Sequence, residues 1–172
     1  MSRGLGDVYK RQVTVKTIII DTDGQAVSKP VTTTENVAKD ATKTVEQTVV
    51  VNNPNLWSID KPNMYQVKTE VIVGDKVVDT YFTDFGFRYY NFDRDKGFTL
   101  NGEMMKLKGV CMHHDQGSLG AASYYRAVER QMEIMKEMGV NAIRVTHNPA
   151  SETLLEICNR LGLLAVSYTH LR

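Results

Sequence analysis

Cysteine, proline and tryptophan are scarce in this 172-residue chain, which has two, four and one of them respectively. Cys111 and Cys158 lie far apart with no C-x-x-C spacing, so neither a disulfide framework nor a thiolate metal site is suggested. Charge of one sign is also lacking: 21 Lys and Arg face 20 Asp and Glu. A net charge of +1 removes the electrostatic argument for nucleic acid or an anionic membrane as partner. No apolar run approaches the ~20 residues of a bilayer span, and the first residues carry no apolar signal-peptide region. There is no internal repeat and no low-complexity tract. What is present is 42% apolar residues, enough to core one ordinary domain or two small ones.

From Gln12 to about Asp95 the pattern is that of strands. Val13 and Val15 alternate with polar neighbours, Ile18 to Ile20 continue the run, and Asp23-Gly24 supplies a turn. A second run, Val45 to Val51, stops at Asn52-Asn53-Pro54. The clearest hairpin pairs Tyr65–Val73 with Val77–Phe82 across Gly74-Asp75, where glycine supplies a positive φ. A complete immunoglobulin-type sandwich needs about seven strands, so this half reads as a partial antiparallel sandwich.

From Gly97 the period changes. Phe98 to Val110 holds two strand-like pieces around Asn101-Gly102, and the second, Met105 to Cys111, is apolar enough to predict a buried strand. Tyr124 to Met138 places Val128, Met132, Met135 and Met138 on one helical face and turns Glu129, Arg130, Glu133 and Lys136 away, with Gly139 just past the end. The methionines at that spacing read as core filler. Asn141 to Thr146 follows as a short strand. Ser151 then caps a helix carrying Leu154, Ile157, Cys158 and Leu161, closed by Gly162, and Leu163 to Val166 begins a third strand. Strand, helix, strand, helix, strand with short connections predicts a parallel sheet of βα units.

In such a sheet, functional groups gather on the loops after the carboxyl ends of the strands. His113-His114-Asp115 follows the first strand and His147-Asn148-Pro149 the second, so three of the four histidines stand at these loops. The competing reading is that each is a polar residue satisfied at its own strand end. His113 and His114 are adjacent on an extended segment and point to opposite sides, so one at most enters a shared pocket. A metal held by His113, Asp115 and His147 is the rarer alternative. Ser118 and Ser151 lack a G-x-S-x-G elbow, Gly117 and Gly120 form no phosphate-binding loop, and no cofactor is evident. Trp57 could offer a face to a pyranose; the better reading is a plug in the sandwich core or at the domain junction.

Pro54-Asn55-Leu56-Trp57-Ser58, Asp84-Phe85-Gly86-Phe87-Arg88, Leu100-Asn101-Gly102, Leu107-Lys108-Gly109-Val110, His113-His114-Asp115, and the run from Asn141 to Pro149 share an order with one family. From about Val13 to Val166 the chain resembles glycoside hydrolase family 2. His-His-Asp followed by Gly117-Ser118-Leu119-Gly120-Ala121-Ala122 is most similar to the bacterial β-galactosidase branch; β-glucuronidases and β-mannosidases share much of the frame.

The resemblance implies a multidomain protein, with 13–95 as a partial immunoglobulin-like β-sandwich and 96–166 as the first βα units of a (β/α)8 TIM barrel. It implies a retaining hydrolase of O-glycosyl bonds acting on a β-linked oligosaccharide or glycoside, with no nucleic acid or membrane as partner and with homo-oligomer formation open to the parent. Position by position, His113 and Asp115 match residues bordering the −1 sugar subsite. His147 and Asn148 match residues beside the same sugar, and Arg144 matches a buried arginine supporting the nucleophile region.

No metal ligand and no catalytic residue is assigned within the chain. A retaining enzyme needs two carboxylates about 5–5.5 Å apart. Only Asp115 stands at a functional strand end, and the family's two glutamates come from later strands. A noncatalytic carbohydrate-binding sandwich module is the rival from a different class. The segments 1–12 and 167–172 resemble translated sequencing-adapter peptides and are set aside from fold reasoning. With a full barrel taking ~250 residues, the sequence reads as an internal piece.

Overall fold

The computed structural model describes residues 10–167, which divide into two compact units. One contains the described residues up to Pro54 together with Tyr65–Phe85; the other contains Asn55–Met64 and the chain from Gly86 onward.

In the first unit, β1 (Lys10–Asp21), β2 (Val31–Ala38), β3 (Tyr65–Val73) and β4 (Lys76–Phe85) form one antiparallel sheet in the order β2-β1-β3-β4. Alternation decides the faces. Thr17 and Ile19 are buried on one side of β1, and their register partners on β3 are Thr69 and Val67. The anticipated hairpin forms with Gly74 at φ +61° in its two-residue turn. Asp21 ends β1 by accepting the amides of Asp23 and Gln25 on one carboxylate oxygen, at 3.0 and 2.8 Å.

In the second unit, β5 (Tyr90–Asp93), β6 (Gly97–Leu100) and β7 (Glu103–Met104) form a small antiparallel sheet. Asn101 and Gly102 join its last two strands with φ of +54° and +84°, the double positive φ of a type I′ turn. A parallel sheet follows, ordered β10-β9-β8, from β8 (Gly109–Met112), β9 (Ala142–Val145) and β10 (Leu164–Val166). Helix α1 (Tyr125–Glu137) connects the first pair and α2 (Glu152–Leu161) the second. The Ser151 hydroxyl accepts the Leu154 amide, and Gly162 at φ +72° closes α2 in the left-handed conformation. α1 ends with the Gly139 amide on Lys136 O and the Val140 amide on Met135 O, a Schellman pair.

Two cores hold this unit. Val128 and Met132 of α1 and Leu154, Ile157 and Cys158 of α2 bury against Ile143, Val145 and the half-buried Val110 and Met112 on one face of the parallel sheet. Trp57, Leu100, Ala142 and Leu164 form the second, with Ile59, Met64, Phe98 and Met105 packed on it. Asn141 ties the start of the sheet together, its side chain accepting from Lys108 N at 2.8 Å and donating to Lys106 O at 2.9 Å. Among the described residues no helix is long and apolar enough to cross a membrane.

Several elements differ from the sequence expectation. Val45 to Val51 keeps a period of two in burial yet pairs with no strand among the described residues; Gln47 instead donates its side-chain amide to Val15 O and Thr33 Oγ1. The run from Met105 to Cys111 is not a buried strand. Only β8 forms there, and Gly109 and Cys111 are exposed because the helices cover the opposite face alone. Met138 stands exposed as the C-cap of α1: its backbone is still helical, with its amide on Ile134 O, but at ~100° per residue it lies to the side of the stripe made by Val128, Met132 and Met135. Lys136 is half-buried and donates to Ile59 O at 2.6 Å and Gly162 O at 3.0 Å. The boundary at 95–96 falls inside the β5–β6 hairpin, whose ladder joins Asp93 to Gly97. Strand pairing also starts at Lys10, opposite Ala38, ahead of the Val13 boundary, because an antiparallel ladder is made by backbone groups whatever the side chains. All of 167–172 except Ser167 lies outside the described residues.

Trp57 joins neither the sandwich core nor a solvent-facing platform. It is buried in the second unit, with its indole N–H donating to Asn159 O at 2.7 Å, its amide to Phe87 O at 2.8 Å, and Arg88 stacked over the ring at 4.9 Å.

Candidate active site

β8 and β9 run parallel with Met112 opposite Val145, so the residues that follow them emerge side by side at the carboxyl end of the sheet. Here the structure brings His113 and His147 together, with ring centroids 5.1 Å apart and planes inclined at 50°. His147 holds φ +67°, a left-handed conformation uncommon for a residue with a β-carbon. His114 follows at once and, with His113, Gln116, Ser123, Gln131 and Ser151, lines a small cavity of about 20 Å³; its buried Nε2 has no hydrogen-bond partner among the described residues.

Asp115 stands exposed at the same strand end, with its carboxylate turned back to accept the Gly117 amide at 2.9 Å. Its own amide donates to His113 O, and Gln131 of α1 donates to Asp115 O at 3.1 Å. Gln116 donates in turn to the Gln131 side chain, so α1 holds this loop from behind. Asn148 is exposed directly after His147. Arg144 lies on the sheet face away from the helices, half-buried, with Nη1 3.9 Å from the sulfur of its ladder partner Cys111.

Sequence reasoning passed over Gln131 and Thr146. Gln131 adjoins the buried Met132 and occupies a polar position of α1 that faces the loop, a signal available in the helical pattern. Thr146 is buried beside the two histidines and bonds to Met112 O. Among the described residues no three His, Cys, Asp or Glu side chains are grouped as a metal ion would need. Burial pushes the Cys158 thiol up to about 12, which leaves it a neutral core group rather than a nucleophile. The arrangement supplies two imidazoles, an amide and a carboxylate at one rim of a parallel sheet. These groups suit binding and orientation of a hydroxyl-rich ligand rather than proton transfer between paired carboxylates.

A parallel βα sheet with polar groups at its strand ends fits the opening of a TIM-barrel domain, a construction that open doubly wound sheets share. Family comparison agrees: residues 5–88 match the model for glycosyl hydrolases family 2, and residues 93–172 match that for the family's TIM barrel domain. The chain belongs to glycosyl hydrolase family 2. It is 43% identical over 156 residues to a beta-galactosidase of Bacteroides ovatus, covering 90% of this chain and 18% of that protein. It is 37% identical over 117 residues to a beta-glucuronidase of Bacteroides fragilis, covering 67% of this chain and 17% of that one. The crystal structure of a Bacteroides uniformis beta-glucuronidase superposes with a TM-score of 0.82 at 34% identity, over 91% of this chain and 19% of that chain. The chain thus spans about a fifth of the length of these relatives.

Proposed function

We propose that the protein to which this chain contributes hydrolyses terminal β-linked sugars with retention, and that β-galactosides are its substrates. The observation that carries the reading is the His113–His147 pair at the carboxyl ends of adjacent parallel strands, in a family 2 chain. His113, Asp115, His147 and Asn148 bind and orient the sugar hydroxyls at the −1 subsite, and Arg144 supports the floor beneath them. The acid/base and nucleophile are two carboxylates outside these 172 residues. Within the chain, Glu129 and Glu133 are held by Arg126 and Arg160 on the helices, away from the strand ends.

Identity to the Bacteroides ovatus beta-galactosidase supports the galactoside reading. Identity to beta-glucuronidases supports β-glucuronides as the second reading. The test is the longer reading frame from the source DNA, assayed on nitrophenyl β-galactoside, β-glucuronide and β-mannoside beside its His147→Ala variant. Galactoside turnover that falls at least about 100-fold in the variant is the expected result. Preference for the glucuronide selects the second reading. Turnover of none of the three, in a frame lacking both glutamates, sinks both in favour of a noncatalytic carbohydrate-binding module. Light scattering on the same protein reads whether it is a homo-oligomer.

A further inference from the structure

Two donors from Thr146 converge on one acceptor. Its amide reaches the Met112 carbonyl oxygen at 2.9 Å, and its hydroxyl reaches the same oxygen at 2.7 Å. A carbonyl oxygen has two lone pairs, so both bonds can be made in full. Thr146 is only 5% exposed, which shields the pair from competing water.

The positions in the chain give this bond its reach. Met112 ends β8 and immediately precedes His113, while Thr146 follows the last residue of β9 and immediately precedes His147. The bond therefore joins the two backbone points from which the imidazoles project. The amide alone would suffice to continue the parallel ladder by one residue. What the hydroxyl adds is a second constraint, at the position where the chain turns out of the strand into the left-handed φ of His147. A strained φ persists only where the surroundings hold it.

We propose that Thr146 is a positioning residue, whose hydroxyl acts through Met112 to set the separation and tilt of the His113 and His147 rings. Its importance for turnover rests on the reading that this pair touches the sugar; the clamp itself does not. Thr146→Val keeps the branched shape and removes the donor, whereas Thr146→Ser keeps the donor.

The experiment is NMR on the full 172-residue chain, following the cross-relaxation peak between the His113 and His147 ring protons and assigning it with His113→Ala. The peak is expected to weaken several-fold in Thr146→Val, with β8 and β9 amide shifts otherwise retained, and to return in Thr146→Ser. A peak unchanged in Thr146→Val, or weakened equally in Thr146→Ser, overturns the proposal. Should the valine variant fail to fold, Thr146→Ala, which also removes the donor, carries the test, and a peak unchanged in it overturns the clamp. If the peak follows the hydroxyl while His147→Ala leaves galactoside turnover of the longer protein unchanged, the positioning role stands and the substrate reading falls.

Discussion

Gly162 and Ile59 approach so closely that a β-carbon on the glycine would lie 2.3 Å from the Ile59 carbonyl oxygen. Gly162 also needs its φ of +72° to end α2, and Lys136 bonds the carbonyls of both residues. Two independent demands thus fall on one position. Gly162→Ala is expected to lose about 2–4 kcal/mol, from left-handed strain plus overpacking against backbone. Gly139 is the control, since it has φ +84° with nothing within 4 Å of an added β-carbon. Gly139→Ala should lose only the conformational part, about 1–2 kcal/mol. Urea midpoints compare the two, and equal losses would show that the Ile59 contact carries no weight.

Trp57 gives a second test, with a built-in reporter because it is the single tryptophan. Its ring is buried, its N–H is bonded to Asn159 O, and a β-carbon on Gly86 would meet it at 2.8 Å. Trp57→Phe leaves a gap and an unpaired carbonyl, at a loss of about 2–4 kcal/mol. The native emission should be blue-shifted, poorly quenched by acrylamide, and indifferent to added galactoside. A sugar-dependent change in that emission would restore the stacking platform that the buried position contradicts.

What the sequence revealed and what it hid follow the range of the forces involved. The Gly74 turn, the Ser151 cap and the burial of Val128 with Met132 are decided within a few residues of chain, so period and turn chemistry reach them. Lys136 looked solvent-facing because a helical wheel cannot know that two carbonyls wait at its amine, one of them 77 positions away. Apolar composition made Met105 to Cys111 look buried, but Cys111 lies on the sheet face away from the helices, where the cluster of Trp57 and Leu100 covers Ala142 and Leu164 and leaves Cys111 exposed. At the site, His113 and His147 were legible as strand-end residues. Their contact, and the left-handed φ that permits it, required the register of β8 against β9.

The two cysteines should behave as opposites. Cys111 is exposed, whereas Cys158 is buried with its thiol pushed from 9.0 up to about 12 by desolvation. In folded protein, maleimide or disulfide reagents should modify one thiol rapidly and the second only on unfolding. Because the native state keeps the Cys158 proton after the unfolded chain has lost it, this contribution is fully present below pH 9 and is lost as pH rises towards 12. The loss approaches about 4 kcal/mol at most. Cys158→Ala should flatten that alkaline decline in urea midpoint; an identical decline would assign it to other groups.

His147 sets stability against function at one residue. At φ +67° its β-carbon is crowded, while its ring lies beside that of His113. Asparagine tolerates the left-handed region better than histidine and carries no imidazole. His147→Asn should therefore stabilise the chain by a few tenths to about 1 kcal/mol, since part of the strain is released. The same change in the longer protein should lower galactoside turnover at least about 100-fold, because the orienting contact is gone. The strain and the contact are separable by a further variant: His147→Gly relieves φ completely and also lacks the ring. If glycine and asparagine lose turnover equally while differing in stability, the imidazole is what the sugar needs. If asparagine instead destabilises the chain, the left-handed turn is made by the histidine side chain itself, and the strain is repaid within the site.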